Sequence, residues 1–73
     1  MGQQQADKIQ QDARVAPEQA GQRLDQVAAA LFNDFSRSRL QGWIRSGELL
    51  VDGRSARPRE RLRGEEHLQL EAW

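Results

Sequence analysis

Arg37 and Arg39 are the residues whose type and spacing point most directly to chemistry. Both follow Ser36, a residue suited to the N-cap of a helix, so they take the first and third positions of a predicted helix. The positive end of the helix dipole disfavours a cation by roughly 0.3–1 kcal/mol. This sequence places two there within one turn. The same end carries backbone N–H groups with no partner inside the helix. Free donors, a positive dipole end and two guanidinium groups make an anion site, and a phosphate backbone would satisfy all three. The plain alternative is two surface ion pairs, Arg37 with Asp34 and Arg39 with Asp25, which would stabilise little.

The rest of the charge pattern extends this clue. The 73 residues carry 11 Lys+Arg and 11 Asp+Glu, a net charge of zero that hides a segregation. Residues 1–35 and 64–73 are net acidic, whereas residues 36–63 hold eight cations against Glu48, Asp52 and Glu60. All eight are arginines: Arg37, Arg39, Arg45, Arg54, Arg57, Arg59, Arg61 and Arg63. Arginine presents a planar fork that grips phosphate at two points and stacks on bases, which lysine does not. Three readings stay open on this pattern: a nucleic-acid partner, an acidic protein partner, or a solvated arginine-rich surface. Arg45 lies two turns beyond Arg37, and Arg54, Arg57 and Arg59 come from later in the chain. A single basic groove results if that later segment folds beside the helix.

Composition narrows the function classes. At 8.3 kDa the chain makes one small domain, too small to wall off a deep, dry catalytic pocket. Cysteine is absent and His67 is the single histidine, which excludes disulfides, cysteine zinc sites and multi-histidine metal sites. The expectation is no metal, no cofactor and no catalytic residue, hence a binding module rather than an enzyme. No apolar run approaches the roughly 20 residues that span a bilayer. The opening Met-Gly-Gln-Gln-Gln has no apolar signal segment, so the expected compartment is the cytoplasm.

The positioning elements follow from hydrophobic periodicity. Residues 1–7 are polar and aperiodic, an expected disordered tail ahead of a domain over 8–73. Ile9, Ala13 and Val15 predict a strand over 9–15, and Pro17 and Gly21 mark a turn. Leu24, Val27, Ala28, Leu31 and Phe32 lie on one stripe of a helix over 22–33. A second helix over 36–46 has Leu40, Trp43 and Ile44 as its apolar face, with Phe35 ahead of the cap as a hydrophobic staple and Gly47 at its end. Trp43 reads as core, with base stacking as the alternative. Gly42 inside this helix admits two explanations, close approach by another backbone or simple tolerance. Residues 48–56 predict a hairpin about Asp52-Gly53 with a type I′ turn, followed by an arginine-rich loop over 57–63. His67–Ala72 alternates as a half-buried strand, with His67 on its outward side. The order implies an α+β fold, two helices packed on one face of a short antiparallel sheet.

Arg23-Leu24-Asp25, Ser36-Arg37-Ser38-Arg39-Leu40 with Trp43-Ile44, Gly47, Leu50-Val51-Asp52-Gly53, Arg57-Pro58 and Gly64-Glu65 together resemble the S4 RNA-binding domain over about residues 22–71. Ser-Arg-Ser-Arg-Leu after an aromatic, with Gly-Gln-Arg-Leu-Asp upstream, is most similar to the N-terminal domain of the large-subunit ribosomal RNA pseudouridine synthases of the D type. The resemblance implies an S4-like domain whose basic surface docks an enzyme onto structured large-subunit ribosomal RNA, acting as a monomer with no membrane partner. The alternative it implies is a free-standing S4 protein of the ribosome-associated heat-shock type. RNA contacts carried over are Arg37 and Arg39 centrally, Arg54, Arg57 and Arg59 from the hairpin side, and Arg45 along the helix, with Arg23 secondary. Asp52 stands where many S4 domains have asparagine, and its charge argues against a phosphate contact there. The synthases use an aspartate in an Arg-Leu-Asp sequence followed by Thr-Ser-Gly. Here Gln-Val-Ala-Ala follows Asp25, so Asp25 is expected to be a structural acceptor, and the catalytic domain is expected outside this chain.

Overall fold

The computed structural model describes residues 8–73, and the tail expected over 1–7 lies outside the described residues. Strand β1 (Ile9–Arg14) leads through a 3-10 turn at Pro17–Gln19 into helix α1 (Leu24–Leu31) and helix α2 (Arg37–Ser46). Strands β2 (Leu49–Val51) and β3 (His67–Ala72) complete the fold. The sheet order is β1-β3-β2, antiparallel throughout, with β3 in the middle. Alternation along β3 drives this arrangement: Leu68, Leu70 and Ala72 are buried, while Gln69 and Glu71 face solvent. In register with them, Leu49 opposes Leu70 and Val51 opposes Leu68, so one sheet face is apolar. Leu24, Val27, Ala28 and Phe32 from the first helical segment and Leu40, Trp43 and Ile44 from α2 cover it in one core. The α+β architecture of two helices on one sheet face is thus as expected.

Three boundaries differ from expectation, each for a physical reason. Helix α1 starts at Leu24 rather than 22, because Gln22 and Arg23 are engaged elsewhere. The Gln22 carbonyl accepts from Leu62 N–H, and Arg23 forms a bridge with Arg61. The expected hairpin over 48–56 closes with a single bridge, Val51 to Arg54, and residues 54–56 form no strand. The type I′ turn is present, with Asp52 at φ 50° and Gly53 at φ 80°, but β2 pairs with β3 instead. The 57–63 segment is more than a loop, since it buries Leu62 in the core. Among the described residues no helix is long and apolar enough to cross a membrane.

Helix α2 begins as its sequence suggested. The Ser36 hydroxyl accepts the Arg39 backbone N–H at 3.1 Å, and Gly47 closes the helix in the left-handed region at φ 86°. Phe35 meets Trp43 edge to face, with ring centroids 5.0 Å apart. Gly42 is exposed, and a Cβ built there meets nothing within 4 Å, so tolerance rather than close approach explains it. Gly42→Ala is therefore expected to stabilise the domain by about 1 kcal/mol, read as a higher urea midpoint.

Candidate nucleic-acid interface

The site is organised by a buried carboxylate. Asp25, in the first turn of α1, is 0% exposed. Its oxygens accept two hydrogen bonds from the Arg23 fork (3.1 and 2.8 Å), one from Arg37 Nη2 (3.1 Å) and one from Gln41 Nε2 (2.8 Å). Burial alone would push its pKa up. The hydrogen bonds from Arg23, Gln41 and Arg37, with the charge of Arg37 added, outweigh burial and bring it down to about 2 from 3.8. The expectation that Asp25 is a structural acceptor accords with this geometry.

Helical spacing explains which side chains Asp25 collects. Arg37, Gln41 and Arg45 succeed one another at four-residue intervals and so share one flank of α2. Asp25 takes the first two, and Arg45 continues the row. Opposite this flank lies the arginine segment, held to the start of α1 by backbone bonds. Leu24 N–H donates to the Glu60 carbonyl (2.8 Å), Asp25 N–H to that of Pro58 (3.0 Å), and Gly21 N–H to that of Leu62 (2.7 Å). The result is a groove of about 630 Å³ lined by Arg23, Gln41, Arg45, Arg57, Pro58, Arg59 and Glu60. The adjacency that the sequence left conditional is therefore present.

The groove is electropositive for a specific reason. Glu60 is its single lining carboxylate, and Arg54 engages it at 2.6 Å. The Arg54 hydrogen bond lowers the Glu60 pKa and raises that of Arg54. Among the described residues no carboxylate pairs with Arg45, Arg57 or Arg59. Four guanidinium groups thus border one open channel, the geometry that a run of phosphates requires.

The six sequence candidates do not all converge here. Arg45, Arg57 and Arg59 do. Arg37 is tied to the groove wall through Asp25, its partner in place of the considered Asp34. Arg54 lines a separate depression with Asp52, Glu60, Glu65 and Glu66, where carboxylates outnumber cations. Arg39 pairs with neither Asp25 nor Arg37. It leaves α2 about 200° around the axis from Arg37 and sits over Trp43 and Phe35. The two-arginine clamp at the helix entrance is accordingly split, and Ser36 consumes one of the N–H donors it needed. Trp43 is core, at 9% exposure. His67, on the outward side of β3, lies 3.5 Å from Asp12. Sequence reasoning did not single out Gln41. Its signal was the spacing, four residues from both Arg37 and Arg45.

Comparison with known proteins places these features in a family. The family model described as S4 domain matches residues 22–68. The ribosomal large subunit pseudouridine synthase D of Pseudomonas aeruginosa is 54% identical over 67 residues, 92% of this chain and 21% of that protein. The enzyme of the same name from Xanthomonas campestris is 51% identical over 89% of this chain and 20% of its own length. That of Escherichia coli K12 is 41% identical over 92% and 21%. This chain therefore spans about a fifth of the length of these curated relatives.

Proposed function

The chain belongs to the S4 domain family, and from that premise we propose that it binds structured RNA through the α2 groove, docking a pseudouridine synthase onto large-subunit ribosomal RNA as part of a longer protein. The convergence of Arg23, Arg45, Arg57 and Arg59 on one channel carries this reading. Phosphates along one RNA strand fit the channel, with Arg45, Arg57 and Arg59 as direct contacts. Arg37 contributes the N–H groups that Asp25 leaves over, and Arg54 acts mainly by neutralising Glu60. Such contacts read backbone and shape, leaving base selection to the remainder of the enzyme. The names of the relatives favour this over a free-standing heat-shock type S4 protein. The same reading implies a cytoplasmic monomer.

Salt dependence tests it. If Arg45, Arg57 and Arg59 each neutralise one phosphate, the log–log plot of affinity for a ribosomal RNA hairpin against salt is expected to slope at about −2.5. A flat plot, or equal binding to heparin and to folded RNA, would overturn the proposal in favour of a generic polyanion surface.

A further inference from the structure

Arg39 stands outside the groove and is the one sequence candidate whose surroundings are aromatic. Its guanidinium carbon lies 4.7 Å from the Trp43 ring centroid and 5.6 Å from that of Phe35. The two rings meet at 79°, forming an edge-to-face base beneath it. Trp43 is buried in the core, so the indole is not itself an open stacking surface. Arg39 is exposed, and among the described residues no carboxylate pairs with it. A cation at the third position of α2 opposes the helix dipole, and contact with the aromatic pair compensates for this.

We propose that Arg39, seated on Phe35 and Trp43, is a stacking platform for one unpaired nucleobase of the bound RNA. This rests on the RNA-binding reading above. A guanidinium backed by aromatic rings retains a planar surface toward solvent, and nucleobases stack on such a plane. A base inside a continuous helix already has both faces stacked, so the platform selects a bulged or loop nucleotide. The groove and the platform occupy different flanks of α2. One RNA can meet both by laying its backbone in the groove and turning a single nucleotide across the start of the helix. Lysine would supply the charge but not the plane.

The test uses the whole chain with Trp73→Phe, which leaves Trp43 as the sole indole. Two blunt-ended RNA duplexes without loops serve as probes, identical except that one carries a single-nucleotide bulge. The chain is expected to bind the bulged duplex about tenfold more tightly and to show quenched Trp43 emission with it. Arg39→Lys is expected to bring that ratio close to one, with an unchanged urea midpoint showing that the fold is intact. A ratio near one for the unsubstituted chain, or one retained in Arg39→Lys, would overturn the platform while leaving groove binding in place. Failure of the chain to bind either duplex would overturn the platform together with the RNA-binding reading.

Discussion

Asp25→Ala is expected to destabilise the domain by about 2–4 kcal/mol, a large share of the stability of a small domain. The carboxylate is fully buried and holds four hydrogen bonds from three side chains on two separate elements. Its removal leaves Arg23 and Arg37 without a counter-charge at the α1–α2 junction. Both guanidinium side chains are partly exposed, at 36% and 47%, so water recovers part of the loss. That places the effect below the upper range for broken buried ion pairs. Asp25→Asn keeps the shape but turns an amide N–H toward arginine donors, and is expected to lose about 2 kcal/mol. Urea unfolding followed by tryptophan fluorescence measures both. The pH dependence gives an independent check. The folded-state pKa lies at about 2, below the ordinary 3.8, so the stabilisation is complete above 3.8 and is lost as pH falls through 2. The gap between the parent and Asp25→Asn should therefore hold at pH 5 and close as the pH approaches 2. A gap independent of pH would mean that packing, not the charge, makes Asp25 important.

The double reversal Arg45→Glu with Arg59→Glu is expected to weaken RNA binding at low salt by at least about a hundredfold. Both residues line the groove, are exposed, and have no carboxylate partner among the described residues. Their replacement leaves the core intact, and the unfolding free energy should change by less than about 1 kcal/mol. The salt slope should shrink by about 2, since two phosphate contacts disappear and two repulsions take their place. The control Arg54→Glu is expected to act more weakly and differently, by releasing Glu60 into the groove. Fluorescence anisotropy with a labelled ribosomal RNA hairpin distinguishes the two. Equal losses from both variants would show that overall charge, not the groove, governs binding.

The fold was legible where apolar residues repeat with a clear period. The stripe from Leu24 to Phe32, the capped helix from Ser36 to Gly47 and the alternation from His67 to Ala72 all appear at nearly their expected limits. Long-range pairing is less visible in a sequence. Asp52-Gly53 announces its turn, but nothing local says that β2 prefers the distant β3 to residues 54–56. Leu62 was hidden among arginines, and only the bonds from its backbone to Gln22 and Gly21 show why it is core. The site was legible as a set of arginines, not as a geometry. Arg39 lies two positions after Arg37, and that interval sends them to opposite flanks. A buried acceptor claims one and an aromatic pair claims the other. Spacing could reveal the divergence, but only the tertiary structure identifies Asp25 as the acceptor.

The strand order has a kinetic corollary. In β1-β3-β2 the middle position belongs to the last of the three strands in chain order, and Ile9 must wait for Ala72 before its ladder can close. Until then both outer strands have unsatisfied edges, and the helices lack the apolar floor they rest on. The nascent segment therefore folds late and in one concerted step, with the loop-closure entropy of nearly its whole length paid at once.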